Sequence, residues 1–189
     1  MFIKSFFTFL FINLTILIFA QTNYAEISPS MIFIKADSFQ MGNDKGKQDA
    51  KPVHLVKLKD FYMGKYEVTQ GLWQQIMSNE KNRKLDCLDC PVYDVSMDEI
   101  QIFLMLLNET TGKHYRLPTE AEWEFAAAGG KESKNYKYCG SDNLDEVAWI
   151  EANSDMKTHP VGQKKPNELG LYDMSGNVWE LCSDWYSKS

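Results

Sequence analysis

The groups of this 189-residue chain that could do chemistry are four cysteines, three histidines and a carboxylate-bearing turn near residue 175. Cys87 and Cys90 form a Cys-x-x-Cys in DCLDCPV, whereas Cys139 and Cys182 stand alone. In a reducing compartment such a pair reads as a redox motif or half a zinc site; in an oxidising one it reads as a short-range disulfide. No second Cys-x-x-Cys accompanies it, and His54, His114 and His159 show no paired ligand spacing, which makes zinc a weak reading. Asp173, Gly176, Val178 and Glu180 fall in one short glycine-containing turn. Two carboxylates and two main-chain oxygens at that spacing can serve one calcium ion, which takes roughly six to eight oxygen ligands. An ordinary Asx-type turn with Glu180 capped by backbone amides fits the spacing equally well. Arg116, just before Leu117-Pro118, is conceivable as a substrate contact, but an ion pair with Glu120, Glu122 or Glu124 is the simpler reading. No nucleophile–base arrangement, phosphate loop or acid–base carboxylate pair stands out, so no residue is assigned a catalytic role.

The compartment decides between the cysteine readings, and the N-terminus speaks to it. Met1 to Lys4 is a short basic start, Phe6 to Ala20 is almost continuously apolar, and Ala20 and Ala25 offer cleavage points. This is a signal-peptide layout over residues 1–25, with an apolar core short of the roughly 20 residues a membrane span needs. No cysteine lies beside the cleavage region for lipid anchoring. We therefore expect an exported protein, periplasmic or secreted, with no stable membrane span after signal cleavage. In that setting Cys87–Cys90 reads as a disulfide, Cys139 with Cys182 can pair at long range, and no free thiol is expected. A net charge of −6, with no basic stripe, argues against nucleic acid as a partner.

The remaining chain must position these groups. Ile32 to Met41 alternates as a strand, Val53 to Leu58 as a second and Phe61 to Val68 as a third. Thr69 can N-cap a short helix through Trp73 and Ile76. Ser96 and Glu99 have capping-box spacing ahead of Ile100, Phe103, Leu104 and Leu107, with Gly112 as the stop. Thr119 and Glu122 repeat the device ahead of Trp123, Ala126 and Ala127, closed by Gly129-Gly130. Residues 131–176 are rich in turn formers, and loops that long are usually functional or held by ions or disulfides. Val178 to Tyr186 (VWELCSDWY) reads as a strand entering the core.

Two longer stretches are specific. HYRLPTEAEWEFAAAGG (114–130) and NELGLYDMSGNVWELCSDWY (167–186) resemble signature stretches of the formylglycine-generating enzyme, or sulfatase-modifying factor, family. FQMG (39–42), PVHLV (52–56), YEVTQGLW (66–73) and CPVYDVSMDEIQIF (90–103) fit in order before them, so the resemblance covers about residues 30–186. It implies an α+β, C-type-lectin-like fold with little regular secondary structure, stabilised by calcium. In the best-known members copper held by two cysteines uses oxygen to turn a substrate cysteine into formylglycine, which arms sulfatases. Others are iron-dependent sulfoxide synthases, pyoverdine-pathway or gliding-motility proteins, or non-catalytic paralogues, so the fold alone does not name a reaction.

By the same resemblance, Asp173, Gly176, Val178 and Glu180 match the family's calcium turn, and Asn153 and the Ser154 carbonyl match a second calcium site, with Asp155 as a further carboxylate. The loop up to Pro160-Val161 is shorter than in some members, which leaves that second site less secure. The family domain continues with a GGSW-like strand, an arginine-rich segment and a terminal GFR, and in the oxidase members the two copper-binding cysteines lie in that part. Residues 26–189 are accordingly expected to be the N-terminal two thirds to three quarters of a domain that is incomplete at its C-terminus. None of the four cysteines matches a copper position, so copper is expected only with that further segment. Two functions follow as expectations. One is an enzyme lineage whose catalytic segment is missing, with an exported protein such as a sulfatase as partner. The other is a non-catalytic, calcium-stabilised binding or scaffold module of the exported compartment.

Overall fold

The computed structural model describes residues 27–46, 48–78 and 85–185. The leader predicted over 1–25 lies outside them. Four short strands open the described chain: β1 (Met31–Ile34), β2 (Ser38–Met41), β3 (His54–Lys57) and β4 (Phe61–Gly64). They nest as two antiparallel pairs, β2 with β3 and β1 with β4, the register running from Met31 opposite Gly64 to Ile34 opposite Phe61. The single strand expected over 32–41 is thus two. The break falls at Lys35–Asp37, where side-chain oxygens replace ladder partners: Asp60 Oδ1 accepts from the Ala36 N–H and Asp37 Oδ1 from the Ser38 N–H.

The helices begin where local chemistry places them. α1 (Gln70–Ile76) is capped by Thr69, whose hydroxyl accepts from the Leu72 N–H. α2 (Met97–Thr111) has the full Ser96/Glu99 capping box and ends at Gly112 in the left-handed region, φ 67°. α3 (Glu120–Ala127) has the Thr119/Glu122 box, and Arg116 grips Glu122 through two bonds of 2.7 Å. That bidentate pair is the structural role of Arg116, and it holds the Glu122 carboxyl below the usual range. A last short helix, α4 (Leu144–Val147), is followed by loops; no helix among the described residues is long and apolar enough to cross a membrane.

Two apolar clusters result. Ile34, Phe61 and Met63 pack with Phe125, Ala126, Leu171 and Met174, joining the β1–β4 pair to α3 and the 171–174 turn. Trp73 stacks on Phe103 at 4.8 Å between centroids, joining α1 to α2 with Ile76 and Leu107. The Cys-x-x-Cys is a disulfide, and its loop is held onto α1 by the buried Gln70, which donates to the Pro91 carbonyl and accepts from the Cys87 N–H.

Two expectations are corrected. No strand forms over 178–185: the Val178 N–H goes to the Glu67 side chain and the Ser183 N–H to the Pro118 carbonyl, while Trp179 and Trp185 are 101% and 95% exposed. Cys139 and Cys182 are not bridged; the Cys139 thiol lies against the Met174 carbonyl instead.

One polar side chain joins the helices to the loops. Asn167, 5% exposed, donates its amide to the Ala126 carbonyl at 2.8 Å and accepts from the Leu169 and Leu171 N–H groups. It thereby satisfies the C-terminal end of α3 and closes the 167–171 turn. Asn167→Ala strands several buried backbone groups and is expected to cost about 2–4 kcal/mol, counted at 1–3 per unsatisfied group. The measurement is urea unfolding followed by circular dichroism, and a loss under about 1 kcal/mol would contradict this role.

Candidate metal centre

The 173–178 turn begins at Asp173, only 2% exposed and in the left-handed region at φ 62°, a conformation Asp and Asn tolerate. The Gly176 N–H closes the turn on the Asp173 carbonyl. A Cβ on Gly176 would lie 2.2 Å from the Trp149 carbonyl oxygen, so only glycine admits this packing. Asn177, at φ 65°, ties the turn down. Its backbone N–H donates to Trp149 O, its side chain pairs with both the N–H and C=O of His159, and its amide also donates to Glu67 Oε2 at 2.7 Å. Glu67 Oε1 accepts from the Val178 N–H at 3.2 Å.

Three carboxylates therefore share one region. Asp173 Oδ2 accepts from the Gly162 N–H at 2.7 Å, while its Oδ1 is buried with no partner. Glu180 accepts from the Trp123 indole at 3.0 Å rather than from backbone amides. Burial pushes the Glu67 carboxyl up to about 9; repulsion from Glu180 and Asp173 adds to this, and the bonds from Val178 and Asn177 only partly offset it. Burial likewise raises Asp173. Glu180 is raised by burial and by the Asp173 charge. Its residue surface is largely exposed, however, so Glu67 and Asp173 carry the electrostatic argument. None of the three is paired with a lysine or arginine among the described residues.

Half-buried, mutually repelling carboxylates with an orphaned oxygen suit a hard divalent cation. The side chains do not enclose one unaided: among the described residues no group of three or more His, Cys, Asp or Glu is placed to hold a metal. Main-chain oxygens would have to complete the set, as calcium sites allow, and Gly176 and Val178 lie in the right turn to provide them. Glu67, absent from the sequence-based ligand set, lies in the same region. It stands three residues after the end of β4, in YEVTQGLW.

The other predicted pair is placed differently. Asn153 Oδ1 accepts from the Ile150 N–H, and its amide donates to Asp145 Oδ1 and the Ala148 carbonyl. The Ser154 carbonyl is bonded to the His159 ring at 3.0 Å, and Asp155 is exposed. Copper does not fit the described cysteines. Cys87 and Cys90 are oxidised to each other, and burial raises the thiols of Cys139 and Cys182, the latter to about 11. Copper(I) prefers paired soft thiolates, and the close pair Cys87 and Cys90 is taken up in a disulfide.

The electrostatics predict a pH dependence for the metal-free chain. Glu67 has a folded pKa above its unfolded one, so the folded state binds the extra proton between about 4.5 and about 9. In chelator, its contribution to stability is full below pH 4.5 and is lost as pH rises toward 9. Glu67→Gln should flatten that decline; equal slopes for both proteins in melting temperature against pH would count against the assignment.

The comparisons with known proteins bear on the family and the fold. Residues 19–189 match the family described as sulfatase-modifying factor enzyme 1-like domain. Among curated relatives, the chain is 34% identical to the chaperone protein LppX of Paenibacillus barcinonensis, over 85% of this chain and 73% of that one. It is 31% identical to the serine/threonine-protein kinase Pkn1 of Chlamydia trachomatis, over 89% of this chain but only 31% of that one. Against the formylglycine-generating enzyme of Streptomyces coelicolor it is 39% identical over 85 residues, 38% of this chain and 27% of the enzyme. The chain thus spans about a third or less of the Pkn1 protein and of the enzyme. Among solved structures, the Treponema denticola variable protein 1 superposes with a TM-score of 0.73 at 31% identity, covering 83% of this chain and 73% of that one. PvdO from Pseudomonas aeruginosa superposes at 0.74 with 27% identity, covering 87% and 74%. With matching motifs, fold and relatives, this chain belongs to the sulfatase-modifying factor enzyme 1-like, or formylglycine-generating-enzyme, domain family.

Proposed function

We propose that this chain acts as a non-catalytic, calcium-stabilised module that holds another exported protein. The observation that carries this reading is the Glu67–Asp173 region, which keeps a buried, unpartnered carboxylate oxygen suited to calcium. Glu67, Asp173 and Glu180, with the main chain at Gly176 and Val178, would hold the ion. Its charge would supply what three repelling carboxylates lack. Export rests on the leader-like residues 1–25. A protein partner is supported by a relative named as a chaperone, 34% identical over 85% of this chain.

A second reading, the family's copper-dependent oxidation of a substrate cysteine, is favoured by the 39% identity to a formylglycine-generating enzyme over 85 residues. Two measurements separate the readings. Millimolar calcium, at about 100 times its dissociation constant, would stabilise the fold by about 2.7 kcal/mol, a rise of about 5–10 °C in melting temperature over chelator. Asp173→Asn should abolish that rise, and its persistence would place the ion elsewhere. Purified chain supplied with copper should leave the cysteine of a sulfatase-motif peptide unchanged by mass spectrometry, and conversion to formylglycine would establish the oxidase reading instead.

A further inference from the structure

The 145–164 loop contains a cluster that the calcium reading does not use. Trp149 stacks on the His159 ring at 3.8 Å between centroids and 12° between planes, and Lys164 Nζ lies 3.9 Å from the centre of the same indole. Two groups so close to one ring centre cannot share a face, so imidazole and ammonium clamp the indole from opposite sides. Each clamp is also bonded to the loop it closes. The acceptor at His159 Nε2 is a carbonyl oxygen, so this nitrogen carries the proton and donates to Ser154 O at 3.0 Å. Lys164 Nζ donates to the Asp145 carbonyl at 2.7 Å.

We propose that this histidine–tryptophan–lysine clamp takes the place of a second calcium ion, so that the loop carrying Asn153 and Ser154 closes without metal. The family resemblance assigns an ion there, and the residues present do not fit one. Ser154 is 6% exposed, and the carbonyl that would face the cation is already occupied by the imidazole N–H. The Asn153 oxygen is turned to the Ile150 N–H, and its amide to Asp145 and Ala148. The Lys164 ammonium, bonded to the Asp145 main-chain carbonyl, brings a positive charge into this loop, and a divalent cation would be repelled by it. Side chains thus do one job of a structural cation, gathering carbonyl oxygens of the loop.

The clamp also reaches the carboxylate region. Asn177 is bonded to the backbone of both Trp149 and His159, so the loop and the 173–178 turn hold each other in register. The inference rests on the calcium reading above only for the number of ions counted.

The test is equilibrium dialysis of the full chain against radioactive calcium, together with hydrogen exchange of amides 150–159. One ion per chain is expected, unchanged in affinity within about twofold in Asn153→Ala and lost in Asp173→Asn. Two ions per chain, one of them lost in Asn153→Ala, would overturn the proposal. A count of zero would sink the calcium reading; the clamp would then stand if amides 150–159 stay protected in chelator, and fall if they exchange freely. At saturating calcium, His159→Ala should speed exchange of those amides about tenfold or more, and His159→Gln, which keeps an N–H donor, should recover part of the protection. If His159→Ala fails to fold, the ion count on the unmodified chain still decides.

Discussion

The bond from Asn177 to Glu67 holds together the parts of this molecule that matter for binding. Glu67 follows β4, Asn177 belongs to a turn 110 residues later, and their side chains meet at 2.7 Å. The same asparagine ladders onto His159 and donates its backbone N–H to the Trp149 carbonyl, so Glu67, Trp149 and His159 converge on one amide side chain and its peptide. A region with so little regular structure has no long sheet or helix bundle to set its geometry. Point contacts of this kind do it instead, which is why Gly176, with no room for a Cβ against Trp149 O, and Asn167, capping α3 from a loop, are as constraining as any core residue.

That convergence carries an electrostatic cost. Bringing Glu67, Asp173 and Glu180 into one partly buried region raises all three carboxyls, and two backbone or side-chain donors to Glu67 do not compensate for the lost hydration. Proteins retain such frustration where a ligand or ion relieves it, since a group that binds only the folded state returns the free energy. The neighbouring loop shows the opposite solution. There the carbonyl and amide groups are satisfied internally, and a lysine and a histidine sit on the indole between them.

Where a sequence signal was local, it was sufficient. The capping boxes at Ser96/Glu99 and Thr119/Glu122 and the left-handed Gly112 stop involve residues a few positions apart, whose interaction needs no partner from elsewhere in the chain. The Cys87–Cys90 bridge was legible for the same reason. The strand expected over 178–186 does not form over its described residues 178–185, because an apolar, aromatic-rich run does not by itself say that another segment will pair with it or cover it. The long-range pairing of Cys139 with Cys182 failed because cysteine parity says nothing about distance.

The sequence by itself determined α1, α2 and α3 with their caps, the disulfide, the family motifs and the turn bearing Asp173, Gly176, Val178 and Glu180, because each is written in a short contiguous stretch. Tertiary structure alone decided that Glu67 belongs with that turn, that Arg116 is consumed by Glu122, and that Ser154 faces a histidine. The reason is physical. A ligand set, like a pKa, depends on which charges and donors lie within a few ångströms, and in a fold built mostly of loops those neighbours come from segments whose spacing along the chain carries no periodic signal.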